Sequence, residues 1–394
     1  MPPPGDVLPR RLPHPPTRRT GAFDGLLWRT YERLLARADI RVGGDRAWDM
    51  RVHDPRLFRR CAFHGSLGLG EAYIEGWWDV PALDQFFERL VRSGLDRRAL
   101  NLRGLAAAIV AACRNLQDIR LARRVAEVHY DLSNAFYREM LGPRMVYTCG
   151  YWAHADTLEL AQEHKLDLVC RKLELTRGQR VLDIGCGWGS FARFAAERYG
   201  VRVVGVTISK EQAAYAREIC ADLPVDIRLC DYRDVDERFD HIVSLGMFEH
   251  VGRKNYATYF ELARRNLAPG GLFLLHTIGR NDTGSGIDPW VTRYIFPNSE
   301  IPGLARIVRA LNRRFVVEDL HNFGADYART LMAWYENFVT AWPRFADSMP
   351  PRFQRLWRYY LLLFAGVFRA RGLQLWQFVL SRDGLPGGYR RPAF

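Results

Sequence analysis

The 394-residue sequence predicts a doubly wound α/β domain on a mostly parallel sheet, preceded by a smaller, mainly helical domain. Three observations carry that expectation. Short apolar segments alternate with helix-length amphipathic ones between about residues 158 and 276, the pattern of strands and helices that cover a parallel sheet on both faces. A glycine-rich turn, Val181-Leu182-Asp183-Ile184-Gly185-Cys186-Gly187-Trp188-Gly189-Ser190-Phe191, joins the first of those strands to its helix. Chemically suggestive residues fall just past several strand ends, where open α/β sheets bind their ligands.

Taken in order, residues 1–20 are rich in proline and arginine, lack hydrophobic periodicity and read as a disordered tail. Residues 21–126 read as an N-terminal domain. Leu26, Leu27, Tyr31, Leu34 and Leu35, then Leu83, Phe86, Phe87, Leu90 and Val91, fall at helical spacing. Between them residues 65–79, dense in glycine and aromatics, read as a compact turn. Trp77 and Trp78 are either core residues there or, at least one of them, lipid-facing. Residues 127–394 form the second domain. A helix over 158–173 leads into strands at 181–184, 202–206, 226–229, 240–245 and 271–276, with helices near 189–199, 209–220 and 254–267. Segments 315–320 and 375–381 complete a seven-stranded sheet and are separated by helical stretches at 325–341 and 352–370.

Composition narrows the function classes. The formal charge of +13 favours anionic partners, whether a bilayer, nucleic acid or an acidic metabolite. No apolar run reaches the length of a membrane span, because 361–368 is stopped by Arg369, and the N-terminus has no apolar signal core. Seven cysteines without a C-x-x-C pair suit neither a disulfide framework nor a zinc site, so no metal is predicted and a reducing cytoplasm is the natural location.

The turn reads D-x-G-x-G-x-G, with Asp183, Gly185, Cys186, Gly187 and Gly189 as the candidate ligand contacts. Alternate glycines clear side chains from a backbone that must pass close to a ligand. No Lys-Ser/Thr follows to hold a triphosphate, so a ligand without a pyrophosphate fits best. S-adenosylmethionine (SAM) is such a ligand, its amino-acid end lying along the turn. Thr207-Ile208-Ser209-Lys210-Glu211-Gln212 follows the second strand, where a ribose would sit, but lacks the usual acid at the strand tip. Hydroxyl, backbone or Gln212 contacts must serve instead. Asp231-Tyr232 follows the third strand and offers a ring to stack on adenine. Glu249-His250 follows the fourth and His276-Thr277-Ile278 the fifth. No Asn/Asp-Pro-Pro-Tyr motif follows the fourth strand, which argues against nucleic-acid methylation.

With these motifs in view, the chain resembles the bacterial cyclopropane-fatty-acyl-phospholipid synthases, within the wider cyclopropane and mycolic-acid SAM-dependent methyltransferase family. The resemblance runs from about Phe58 to Arg382. It rests on the glycine turn, His129–Tyr137, Tyr147-Thr148-Cys149-Gly150-Tyr151-Trp152, Gly246–Gly252, Tyr294–Asn298, Tyr327–Tyr335 and Phe368–Trp376. The 65–79 stretch resembles the N-terminal domain of the phospholipid enzymes. The resemblance implies a class I, Rossmann-like methyltransferase domain that transfers the SAM methyl carbon to a cis double bond of a phospholipid acyl chain. Bicarbonate is the implied base in ring closure. It places Cys149, Glu249, His276, the Ile278 carbonyl and Tyr327 around that anion, and adds Tyr147 and Thr148 to the SAM contacts. It further implies peripheral contact with the cytoplasmic face of the membrane and a homodimer. A related transfer leaving a methyl branch or methylene group, and a lipid-binding protein without catalysis, are the alternatives. Phe364 stands where some relatives carry a cysteine, so no nucleophile is available at that position.

Overall fold

The computed structural model describes residues 22–95, 133–283 and 287–393. The proline- and arginine-rich tail, the 126/127 domain boundary and residues 129–132 of the first family motif lie outside them.

The N-terminal part consists of α1 (Ala22–Ala36), β1 (Arg51–Val52), α2 (Leu57–Ile74), β2 (Trp78–Asp79) and α3 (Leu83–Arg92), with β1 and β2 paired antiparallel. The stretch expected to be a compact turn is instead mostly helix. α2 continues to Ile74, kinked at Gly65 (φ 56°, ψ −134°). Its glycines serve close packing: a Cβ on Gly70 would lie 2.4 Å from Cδ1 of Trp290. Trp78 is a core residue whose Nε1 donates to the Leu69 carbonyl (3.0 Å). Trp77 is half-buried, with the guanidiniums of Arg56 and Arg60 4.7 and 4.8 Å from its ring centre.

The remainder follows the expected alternation. α4 (Asn134–Leu141) starts at Ser133, whose hydroxyl accepts from the Phe136 amide, and α5 (Leu158–Lys172) is capped in the same way by Thr157. There follow β3 (Arg180–Ile184), α6 (Ser190–Tyr199), β4 (Arg202–Thr207), α7 (Lys210–Ile219), β5 (Val225–Leu229), β6 (Phe239–Leu245), α8 (Tyr256–Asn266) and β7 (Leu267–Gly279). The chain ends through α9 (Pro289–Tyr294), α10 (Leu304–Leu311), β8 (Val316–Asn322), α11 (Ala325–Ala341), α12 (Pro351–Arg369) and β9 (Gln374–Ser381).

The seven-stranded sheet runs β5-β4-β3-β6-β7-β9-β8, parallel from β5 to β7. β9 is antiparallel to both of its neighbours. The order reverses between β3 and β6, so the glycine turn after β3 opens at the switch point where such sheets bind ligands. β7 is longer than the expected 271–276 because β9 pairs with it as far as Gly279. His276 and Ile278 therefore lie within the strand and not past its end.

The two parts share one core. Tyr359 of α12 packs against Tyr73 (ring centres 5.3 Å) and Phe87 (5.1 Å), and Arg355 donates to the carbonyls of Tyr73 and Trp78. A Cβ on Gly366 would sit 2.4 Å from the Asp84 carbonyl oxygen, so α12 and α3 are in backbone contact there. Deletion of the N-terminal part would strip this apolar cover from α12. We expect such a truncation to lose cooperative thermal unfolding in calorimetry, so a docking role for residues 21–126 must be tested by point substitutions.

Candidate active site

A cavity of about 280 Å³ opens at the carboxyl ends of β3, β4, β5 and β6 and runs towards α11 and α12. Its polar limb is the glycine turn and the loops beside it. Gly187 has φ +55°, and no other atom would lie within 4 Å of a Cβ built there, so that position faces open space in the cavity wall. Of the cofactor contacts expected from sequence, Tyr147, Thr148, Asp183, Gly185, Cys186, Gly187, Thr207, Ile208, Gln212, Asp231 and Tyr232 all line this cavity. Gly189 does not. It caps α6 with φ +81°, and a Cβ there would lie 2.9 Å from that of Ala216, so it serves helix packing.

Asp183 is buried with Oδ2 lacking a hydrogen bond; burial pushes its carboxyl up to about 7, against the opposing pull of Lys165. Thr207 Oγ1 lies 3.3 Å from Gln212 Oε1, which ties the two candidate ribose contacts together in place of an acid. Asp231 is engaged by Arg233, whose Nε and Nη2 each donate at 2.7 Å. Tyr232 is half-buried beside Tyr259 (ring centres 5.4 Å).

The second limb is apolar, walled by Ile287, Phe296, Ile301, Tyr360 and Phe364. Phe364 stands in this wall, so the position with a cysteine in some relatives contributes bulk here and no thiol.

Three of the five proposed anion contacts, Glu249, Ile278 and Tyr327, meet where the limbs join. Glu249 follows β6 on a 3₁₀ turn, and its Oε1 accepts from the Ile278 amide at 2.6 Å. Its Oε2 is buried without a hydrogen bond of ordinary geometry, and burial pushes the carboxyl up to about 7, opposed by the Ile278 amide and, more weakly, by the nearby Thr277 hydroxyl. Ile278 and Tyr327 line the cavity with it. The Ile278 carbonyl already accepts from Thr277 Oγ1 (3.0 Å), leaving one lone pair for a ligand. His276 and Cys149 stand behind the cavity wall, both buried and neither lining it. His276 Nε2 has no hydrogen bond, and burial, with Lys165 and Lys172 nearby, holds the imidazole well below its usual value and hence neutral. The Cys149 thiol lies 3.1 Å from the Gly150 carbonyl and 3.9 Å from Thr330 Oγ1, and burial raises its pKa well above the ordinary value. It is a protonated thiol in a packed environment.

These observations test the fit of both groups. A backbone open at Gly187 suits SAM. An unpaired carboxylate oxygen and an unpaired imidazole nitrogen suit a small anion that both donates and accepts, as bicarbonate does. An unpaired buried polar group costs about 1–3 kcal/mol, which a ligand that satisfies it recovers.

Sequence reasoning missed Lys165, a cavity residue. Its ammonium is buried, donates to Thr148 Oγ1 at 3.0 Å and is pushed down to about 8 by burial. A signal existed. Lys165 and Lys172 are seven apart, two turns along the buried face of α5, where lysines are rarely found.

The mycolic acid cyclopropane synthetase family model matches residues 117–378. The chain is 50% identical over 364 residues to the cyclopropane-fatty-acyl-phospholipid synthase of Escherichia coli K12, covering 92% of this chain and 95% of that one. The solved cyclopropane synthase MmaA2 of Mycobacterium tuberculosis superposes with a TM-score of 0.63 at 32% identity, covering 66% of this chain and 98% of that one. The mycolic acid cyclopropane synthase CmaA1 complexed with SAH and CTAB gives 0.61 at 31%, covering 66% of this chain and 98% of that one. The glycine turn at the switch point, the seven-stranded sheet and this similarity along nearly the whole chain agree: the protein belongs to the mycolic acid cyclopropane synthetase family.

Proposed function

We propose that this protein is a SAM-dependent cyclopropane-fatty-acyl-phospholipid synthase, acting on the cis double bond of an acyl chain still attached to its phospholipid. The observation that carries the reading is one cavity whose polar limb holds the glycine turn, whose other limb is apolar, and whose junction bears Glu249. When bound, SAM supplies an electrophilic methyl group and bicarbonate a base that is not itself a side chain.

The residues divide the remaining work. Gly185, Cys186 and Gly187 present backbone to the amino-acid end of SAM, and Thr207 with Gln212 holds the ribose side. Tyr147 and Tyr360 join hydroxyls at 3.0 Å across the junction and narrow it. An alkene is a weak nucleophile, so it must be held in line with the methyl group and shielded from water. Phe296, Ile301 and Phe364 supply that dry wall. Glu249 Oε2 accepts a hydrogen bond from the hydroxyl of the bound anion, the Ile278 amide fixes the carboxylate in place, Tyr327 donates to the anion from the cavity wall, and His276, whose unpaired Nε2 lies behind that wall, is the second donor to an anion seated against it. Cys149 fills space behind them.

The decisive experiment is mass spectrometry of phospholipid acyl chains from a host that makes unsaturated lipids, with and without this gene. A gain of one CH2 with loss of the double bond is the expected product. A methyl-branched product that keeps an unsaturation, or an unchanged profile, would refute ring formation.

The acid limb of the pH profile gives a second test. With its carboxyl pushed up to about 7, Glu249 is protonated below that pH and then cannot accept the anion's hydroxyl. At fixed bicarbonate concentration kcat/KM should therefore rise as pH increases through about 7. A flat profile from pH 6 to 8 would remove Glu249 from the anion site.

Because the double bond lies inside a bilayer, the protein must dock as a peripheral, cytoplasmic-face enzyme, and residues 21–126 are its proposed docking part. The homodimer implied by the resemblance belongs to the same proposal. Turnover on vesicles should rise with anionic lipid and fall with salt, since surface attraction is screened over a Debye length of roughly 8 Å at physiological ionic strength. Equal turnover on neutral and anionic vesicles would argue against electrostatic docking.

A further inference from the structure

A polar layer lies behind His276 that the reaction described above does not use. His276 on β7, Gln377 on β9 and His321 on β8 are direct cross-strand partners, His276 opposite Gln377 and His321 opposite Gln377. β9 is buried along its full length, Gln377 has no exposed surface, and Lys172 at the end of α5 is equally buried. Such groups are costly inside a sheet unless each is hydrogen-bonded. Here they are. Lys172 Nζ lies 2.8 Å from Gln377 Oε1, 3.0 Å from His321 Nδ1 and 3.9 Å from Asp319 Oδ2. Gln377 Nε2 lies 3.2 Å from His276 Nδ1.

The order of donors and acceptors in this chain places the proton of His276. The Gln377 amide turns its oxygen to Lys172 Nζ and its NH2 to His276, the orientation a protonated Lys172 requires, and burial pushes that ammonium down to about 7. An NH2 only donates, so His276 Nδ1 must be the bare, accepting nitrogen. The ring is neutral, and its single proton must then sit on Nε2, the buried atom without a partner.

Resting on the anion-assisted reaction above, we propose that Gln377 and Lys172 are positioning residues that lock His276 in the Nε2–H tautomer and thereby keep that N–H free to donate to the bound anion. They touch neither SAM nor lipid. Partners that orient an imidazole from behind commonly matter by 10- to 100-fold where the ring binds a metal, and a comparable loss is expected here.

The test uses the full-length protein labelled with ¹⁵N-histidine, with the His276 signals assigned by comparison with His276→Asn. Wild type should show a protonated Nε2 and a bare Nδ1. Gln377→Glu is nearly isosteric, and its carboxylate, paired with Lys172, can only accept. The His276 proton should then move to Nδ1, and turnover should fall roughly 10- to 100-fold with SAM affinity unchanged. A role in packing alone would not move the proton. A wild-type ring protonated on Nδ1 overturns the proposal without any variant, so it stays testable if Gln377→Glu fails to fold. So does a folded Gln377→Glu protein whose His276 keeps its Nε2 proton. A switched tautomer with full turnover overturns the link to catalysis. Full turnover of carbonate-depleted wild type would refute the anion reading itself while leaving the tautomer result standing, so the two failures are separable.

Discussion

Glu249→Gln is expected to lower turnover by roughly 10²- to 10⁴-fold, the range for loss of a positioned acid–base group, while SAM affinity changes less than twofold. The physical reason is the fixed donor on one side of the side chain. The Ile278 amide holds Oε1 at 2.6 Å and can be satisfied only by an acceptor, so the glutamine must place its oxygen there. Its NH2 then occupies the position of Oε2 and presents protons where the anion needs a lone pair. The fold should not suffer, because a neutral amide is easier to bury than a carboxylate whose pKa is already pushed up to about 7. Calorimetric titration with SAM, beside a turnover assay on vesicles, separates the two effects. Turnover near the wild-type level would place the base elsewhere. A parallel measurement on carbonate-depleted wild-type enzyme should show a comparable loss that added bicarbonate reverses.

Gly187→Ala is expected to weaken SAM binding by at least 100-fold in a protein that still folds. At φ +55° an alanine adopts left-handed backbone at a cost of about 1–2 kcal/mol. Nothing in the protein opposes its Cβ, which would enter the space left for the cofactor. Gly189→Ala is the informative contrast. Its Cβ would meet that of Ala216 at 2.9 Å, so it should cost roughly 1–3 kcal/mol of stability by overpacking the α6–α7 contact. Calorimetry with SAM and thermal unfolding of both variants should therefore separate, affinity falling in the first and melting temperature in the second. Unchanged affinity in a folded Gly187→Ala protein would remove the turn from the cofactor site.

The elements that sequence placed well are those set by local rules. Alternating apolar strands and amphipathic helices depend on spacing alone. The D-x-G-x-G-x-G turn is legible for the same reason: its three glycines all take positive φ, a requirement of the local backbone. Elements that depend on a distant partner were not legible. The glycines of residues 65–79 look like a turn until Trp290, more than 200 residues away, is seen to need the space beside Gly70. β7 reaches Gly279 only because β9 returns antiparallel beside it.

The site divides along the same line. Residue types at strand ends, together with the family resemblance, named residues most of which line one cavity. Sequence could not say which of them border the cavity, nor that Gly189 packs against a helix while Gly187 faces the open cavity. It gave no sign that Lys172 and Gln377 stand behind His276. Hydrogen bonds are local in space and not along the chain, and burial set against nearby charges and hydrogen bonds decides whether a lysine, an aspartate or a glutamate keeps its usual charge. The sequence by itself therefore determined the order of elements, the cofactor turn and the chemical types present. The tertiary structure decided which polar atoms are left unpaired and aligned the rows of residues that set their protonation, because only packing brings β7, β8, β9 and α5 into contact.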